Sequence, residues 1–158
     1  MQRRFMIQAG AMLLGSIAAA SPVIGVAAGK RVLEVWKSPT CGCCQDWIAH
    51  LQANGFQVTA YDVSEAAKAA QRLKLGLADK FGSCHTALID GYVVEGHVPA
   101  REIARLLKER PKALGLAVPG MPVGSPGMDG PLYRGRKDVY AVLLVQRHGN
   151  ESVYQLYR

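Results

Sequence analysis

Val32-Leu33-Glu34-Val35-Trp36 leads through Ser38-Pro39-Thr40 into Cys41-Gly42-Cys43-Cys44-Gln45-Asp46-Trp47. The first five residues form a short, largely apolar run with Glu34 as its only charge, which is the pattern of a buried strand. Ser38-Pro39-Thr40 turns the chain. The spacing of Trp47, Ile48 and Leu51 predicts a helix over 41–54, stopped by Asn54-Gly55. The cysteines therefore fall in a strand-to-helix loop and the first helical turn, where free backbone N–H groups and the helix field favour thiolates.

Downstream, 56–63 alternates loosely and is rich in strand formers. Ser64 can cap a second helix reaching about Leu75, with Ala66, Ala69, Ala70 and Leu73 as its expected inner face and Gly76 as its end. Thr86-Ala87-Leu88-Ile89 and Tyr92-Val93-Val94-Glu95 flank Asp90-Gly91, a strong hairpin signal. Pro99 opens a third helix, 100–110, with Ile103, Leu106 and Leu107 on its buried side. Strand, helix, strand, helix, hairpin, helix specifies an α/β fold: a thioredoxin-like mixed sheet flanked by helices, with a ferredoxin-like sandwich as the rival. Residues 119–131 hold four prolines and four glycines, which excludes helix or central strand there. This Pro/Gly/Met loop is long for a simple connection. Val139 to Val145 and Ser152 to Tyr157, joined by His148-Gly149-Asn150, form a C-terminal β-hairpin.

The chain has 158 residues, 49% of them apolar, enough for one domain with a real core. Its start reads differently. Arg3-Arg4 precede an apolar, alanine-rich run from Phe5 to about Ala20 and then small residues, the order of a secretory signal peptide over 1–28, with cleavage after Ala20 or Ala28. Gln2-Arg3-Arg4-Phe5-Met6 resembles the start of a twin-arginine export signal. The expected products are a periplasmic domain over 30–158 and no stable membrane span once the signal is removed. The net charge of +7 is scattered, with only Arg134-Gly135-Arg136-Lys137 dense, and lacks the stripe of a nucleic-acid surface.

Three of the four cysteines lie within four residues, so two structural disulfides would constrain little chain. Cys41 and Cys44 have the C-x-x-C spacing of a thiol–disulfide oxidoreductase. In such enzymes a cis-proline loop faces the dithiol; here Ser83-Cys84-His85-Thr86 occupies the comparable place. His85 stands where the proline would be, and Cys84 brings a fourth thiol toward the first three. Four converging thiols suit a thiophilic metal, and bridging sulfurs let closely spaced cysteines hold several copper(I) ions together. Zinc and iron–sulfur binding fit the ligand count, but their usual cysteine spacings differ. Thiol redox chemistry stays open beside these. Met121 and Met128, thioethers in the Pro/Gly loop, and His85 are further candidate ligands, and His97, just past the hairpin, can approach the same end.

Four blocks of sequence bear on the choice: Ser-Pro-Thr-Cys-Gly-Cys-Cys from Ser38, Ser-Cys-His-Thr from Ser83, Asp-Gly-Tyr-Val-Val-Glu-Gly-His-Val-Pro from Asp90, and Gly-Leu-Ala-Val-Pro-Gly-Met-Pro-Val-Gly-Ser-Pro-Gly-Met from Gly115. Together, and in this order, they resemble a bacterial family of periplasmic, thioredoxin-like copper-binding proteins, long catalogued as a domain of unknown function and linked to copper-resistance operons. The resemblance covers roughly Val32 to Asp129. It implies a copper–thiolate cluster on Cys41, Cys43, Cys44 and Cys84, and a part in periplasmic copper handling or copper-linked electron transfer. Met121 and Met128 belong to the characteristic loop. The partners it implies are copper ions and a copper-exporting, copper-oxidising or electron-transfer protein.

Overall fold

The computed structural model describes residues 32–158. The expected signal peptide, its cleavage positions and the expected domain start at residue 30 lie outside the described residues. The chain runs β1 (Val32–Lys37), α1 (Gly42–Ala53), β2 (Gln57–Asp62), α2 (Glu65–Lys74), β3 (His85–Ile89), β4 (Tyr92–Glu95), α3 (Ala100–Glu109), β5 (Gly115–Ala117), β6 (Tyr140–Val145) and β7 (Glu151–Tyr157). Short 3-10 turns cover Asp79–Phe81 and Pro131–Tyr133. All strands join one mixed sheet in the order β2-β1-β3-β4-β5-β6-β7.

The pairing follows from the connections. The α1 crossover makes β1 and β2 parallel, whereas the Asp90-Gly91 turn makes β3 and β4 antiparallel. Both turn residues have positive φ, 48° and 81°, the geometry of a tight two-residue hairpin. The third helix returns β5 parallel to β4, and the C-terminal hairpin extends the sheet antiparallel through β6 and β7. The three-residue strand β5 was not expected; it is too short to show any alternation.

Successive strand residues point to opposite faces, and the core divides accordingly. Val94 and Leu116 join one cluster with Trp47, Ile48 and Leu51 of α1 and Ile103, Leu106 and Leu107 of α3. Val93 and Ala117 join a smaller cluster on the other face with Leu77, Phe81 and Leu114. Each fully buried leucine or isoleucine contributes about 1.5–3 kcal/mol relative to exposure.

Helix α2 departs from expectation. Its buried residues are Lys68 and Arg72, while Leu73 is 54% exposed and Ala66 and Ala70 face solvent. The face turned inward is the one whose cations have partners beneath it. Lys68 Nζ donates to the Cys84 carbonyl at 3.0 Å, and Arg72 reaches Asp79 at 2.7 Å and Glu95 at 3.6 Å. Hydrogen bonds to a buried carbonyl and carboxylate outweigh what three alanines would gain by burial.

Pro99 precedes α3 and offers no side-chain cap; the Ala100 N–H donates instead to His50 Nε2 at 3.1 Å. Burial holds the His50 pKa below its ordinary 6.5, with Asp129 acting weakly the other way. A depressed folded-state pKa means that the stability His50 contributes is complete above 6.5 and is lost as pH falls from there through the lowered folded value. His50→Ala is therefore expected to destabilise the fold by about 1 kcal/mol at neutral pH. Denaturant melts at several pH values should also show a weaker loss of stability below pH 6.5 in the variant than in the parent.

Candidate metal centre

Cys41 occupies the N-cap of α1 with no side-chain capping bond, and the first turn carries Cys43 and Cys44. Strand β3 pairs with β1 so that His85 lies opposite Lys37, bringing Cys84 alongside the helix start. The four sulfur atoms all lie within 4.8 Å of one another. Cys43 Sγ sits 3.5 Å from Cys41 Sγ and 3.9 Å from Cys84 Sγ. Cys41 and Cys44 are joined as a disulfide, and Cys43 and Cys84 are free thiols.

Two imidazoles complete the arrangement. His85 Nε2 meets the Gly96 carbonyl at 2.9 Å, and His97 Nδ1 meets the Pro126 carbonyl at 2.8 Å. A carbonyl can only accept, so each ring is protonated on that nitrogen. The bare nitrogens, His85 Nδ1 and His97 Nε2, then face Cys84 Sγ at 3.3 and 3.0 Å. Burial depresses both histidine pKa values, His85 strongly, and keeps the rings neutral. Burial together with the neighbouring Cys43 pushes the Cys84 thiol up to about 12, against smaller opposing contributions from Ser83 and Lys68. Cys84, His85 and His97 thus form a second, mixed donor group sharing one sulfur with the first.

Glu95 fixes the position of Cys84. Its buried carboxylate accepts from the Ser83 N–H at 2.7 Å and from Thr86 Oγ1 at 2.6 Å, the residues on either side of Cys84-His85. Burial raises the Glu95 pKa, while its hydrogen bonds and Arg72 oppose the rise. Ser83 Oγ also donates to the Gly120 carbonyl, tying the Pro/Gly/Met loop to the strand.

The loop is held by its own backbone: Met128 N–H to Ser125 O and Gly124 N–H to Met128 O, both 2.8 Å. Met121 is 52% exposed and lines a cleft of about 370 Å³ together with Cys41, Cys84, Lys68 and Glu65. Met128 is buried, and its sulfur accepts from the Tyr133 hydroxyl at 3.2 Å. A larger groove of about 480 Å³ sits by the Asp90-Gly91 turn and contains no cysteine.

The structure thus brings together Cys41, Cys43, Cys44, Cys84 and His85 and sets Met121 on the cleft wall. It also brings in His97 directly. The place of Lys68 at the same cleft was not foreseen, because its helix was read from its alanines.

Residues 81–128 match the model of a family described as a protein of unknown function, DUF411. Two solved structures titled copper resistance protein CopG are similar over most of the chain. Form 2 is 49% identical, with 81% of this chain and 98% of that one covered, and form 1 is 48% identical, with 80% and 96% covered. Both have a TM-score of 0.72. The chain belongs to this CopG copper-resistance family. No curated protein matches it. The aligned CopG chains are covered almost in full, so the likeness takes in the fold as a whole.

Gly127, at φ +83°, packs where a Cβ would lie 2.5 Å from the Cys43 carbonyl oxygen and 2.8 Å from the Trp47 nitrogen. Those are α1 backbone atoms with no freedom to retreat. Gly127→Ala is expected to lose about 1–3 kcal/mol from strain at that φ and from the clash. Thermal unfolding would show the drop, and faster alkylation of Cys43 would show the loop lifted from the helix.

Proposed function

We propose that the protein binds copper(I) as a multinuclear thiolate cluster on Cys41, Cys43, Cys44 and Cys84, and serves copper resistance by sequestration, transfer or copper-linked redox. The observation that carries this reading is the mutual approach of four sulfur atoms within 4.8 Å beside an uncapped helix N-terminus. Thiolates are soft donors, and sulfurs this close can each bridge two ions. His85 and His97 supply neutral nitrogen donors at the buried end, and Met121 supplies a thioether at the open end. Met128 stiffens the loop through Tyr133 in this reading and is the weaker ligand candidate. Membership of a family that includes copper resistance proteins supports the choice of copper.

Loading needs Cys41 and Cys44 as thiols, so an external thiol reductant first gives their disulfide two electrons and two protons and leaves as its own disulfide. Copper(I) then displaces the thiol protons. The expected setting is the periplasm, reached through the signal at 1–28. Among the described residues no helix is long and apolar enough to cross a membrane. A copper-exporting, copper-oxidising or electron-transfer protein would be the natural partner.

Anaerobic titration of the reduced protein with copper(I), against a chromophoric chelator, tests this. More than one tightly held equivalent is expected. Cys84→Ser should lower the stoichiometry and weaken the affinity about tenfold, equivalent to about 1.4 kcal/mol, and Met121→Ala should slow uptake without changing stoichiometry. A reduced protein that leaves all copper(I) with the chelator would defeat the reading.

The Cys41–Cys44 disulfide favours a second one: a thiol–disulfide oxidoreductase using that pair. Metal-free protein would then catalyse reduction of a model disulfide, and Cys41→Ser would abolish it. Absence of catalysis would leave the metal reading alone.

A further inference from the structure

Helix α2 places a lysine where an apolar residue would be expected. Lys68 is 5% exposed, and its ammonium lies 3.0 Å from the carbonyl of Cys84 and lines the cleft with Cys41, Cys84 and Met121. The charges around it are unevenly matched. Arg72, one turn on, faces two carboxylates: Asp79 at 2.7 Å and the buried Glu95 at 3.6 Å. Lys68 has one ion-pair partner, Glu65 at 2.7 Å, whose side chain is 71% exposed and screened by water. The inward face of α2 therefore sets two cations against the one buried carboxylate, Glu95, which pairs directly with Arg72, and leaves the second cation, Lys68, beside Cys84.

We propose that Lys68 is the counter-charge of the sulfur centre, a positioning residue that stabilises its reduced, anionic states. In the oxidised protein Cys41 and Cys44 are neutral in their disulfide, whereas reduction exposes sulfurs able to carry negative charge. A buried cation on the cleft that Cys41 lines favours the dithiolate over the disulfide. The copper part of this inference rests on the proposed function. Four thiolates holding fewer than four copper(I) ions keep a net negative charge, so Lys68 strengthens binding most in partly filled states. Its bond to the Cys84 carbonyl also anchors Cys84, in addition to the Glu95 contacts with Ser83 and Thr86.

Equilibration with glutathione tests the claim on metal-free protein. Reduction breaks the Cys41–Cys44 bond with two electrons from two glutathione thiols, which leave as glutathione disulfide. Their two protons pass to the released sulfurs, or to solvent where a thiolate persists. Lys68→Met is expected to shift this equilibrium about tenfold toward the protein disulfide, equivalent to about 30 mV for a two-electron couple. Lys68→Arg keeps the charge and should stay near the parent. Glu65→Gln, on an exposed position, removes the screening anion and should shift the equilibrium the other way. This variant decides the matter if Lys68→Met does not fold.

Unchanged equilibria in folded Lys68→Met or in Glu65→Gln would overturn the proposal. Competition with a copper(I) chelator should show weaker binding in Lys68→Met. The glutathione equilibria need no copper, so the two readings fail separately. Shifted equilibria without copper binding would sink the copper function and leave Lys68 in its role, and copper binding with unmoved equilibria would do the reverse.

Discussion

The site depends on one buried carboxylate. Glu95 has no exposed surface, and its two oxygens are taken by the backbone of Ser83 and the hydroxyl of Thr86. A charge so placed is tolerated only when fully hydrogen-bonded and paired, and Arg72 from α2 supplies the pairing. The ends of β3 and β4 are thereby locked around Cys84-His85, with α2 drawn over them. Removing the carboxylate would orphan a backbone N–H and a hydroxyl together and leave Arg72 with Asp79 alone.

From that anchor the two halves of the centre are built differently. The Cys41–Cys44 segment is local: a turn and the first helical turn bring three sulfurs together with little help from tertiary structure. The other half is assembled from distant chain, with Cys84 at the head of β3, His97 after β4 and Pro126 in the loop, each held by backbone carbonyls or by Glu95. The thiol-rich end is open to the cleft, and the imidazole end is sealed in the core. The soft donors thus face the cleft, and the imidazoles lie behind them.

Much of this was legible in the sequence because its signals were local. The apolar positions Trp47, Ile48 and Leu51 marked α1, Asp90-Gly91 marked the hairpin, and the placement of Cys84 before a strand predicted its meeting with the first three cysteines. What failed was the inward face of α2. Ala66, Ala69, Ala70 and Leu73 look like a helix's packing side, yet the structure buries Lys68 and Arg72. Their burial is driven by partners on β3 and β4 that no local pattern reveals. Strand β5 was missed for a related reason: three residues have no periodicity, and only pairing with β4 and β6 defines them.

Trp47 gives the arrangement a further property. Its indole is completely enclosed, donates to the Val98 carbonyl at 2.8 Å and lies over the His85 ring with centroids 4.1 Å apart. His85 in turn faces Cys84. A single imidazole therefore touches both a fixed fluorophore and the Cys84 sulfur, and whatever alters that imidazole alters the indole's surroundings. The core tryptophan is also an internal optical gauge of the centre, readable in the native chain without any added label.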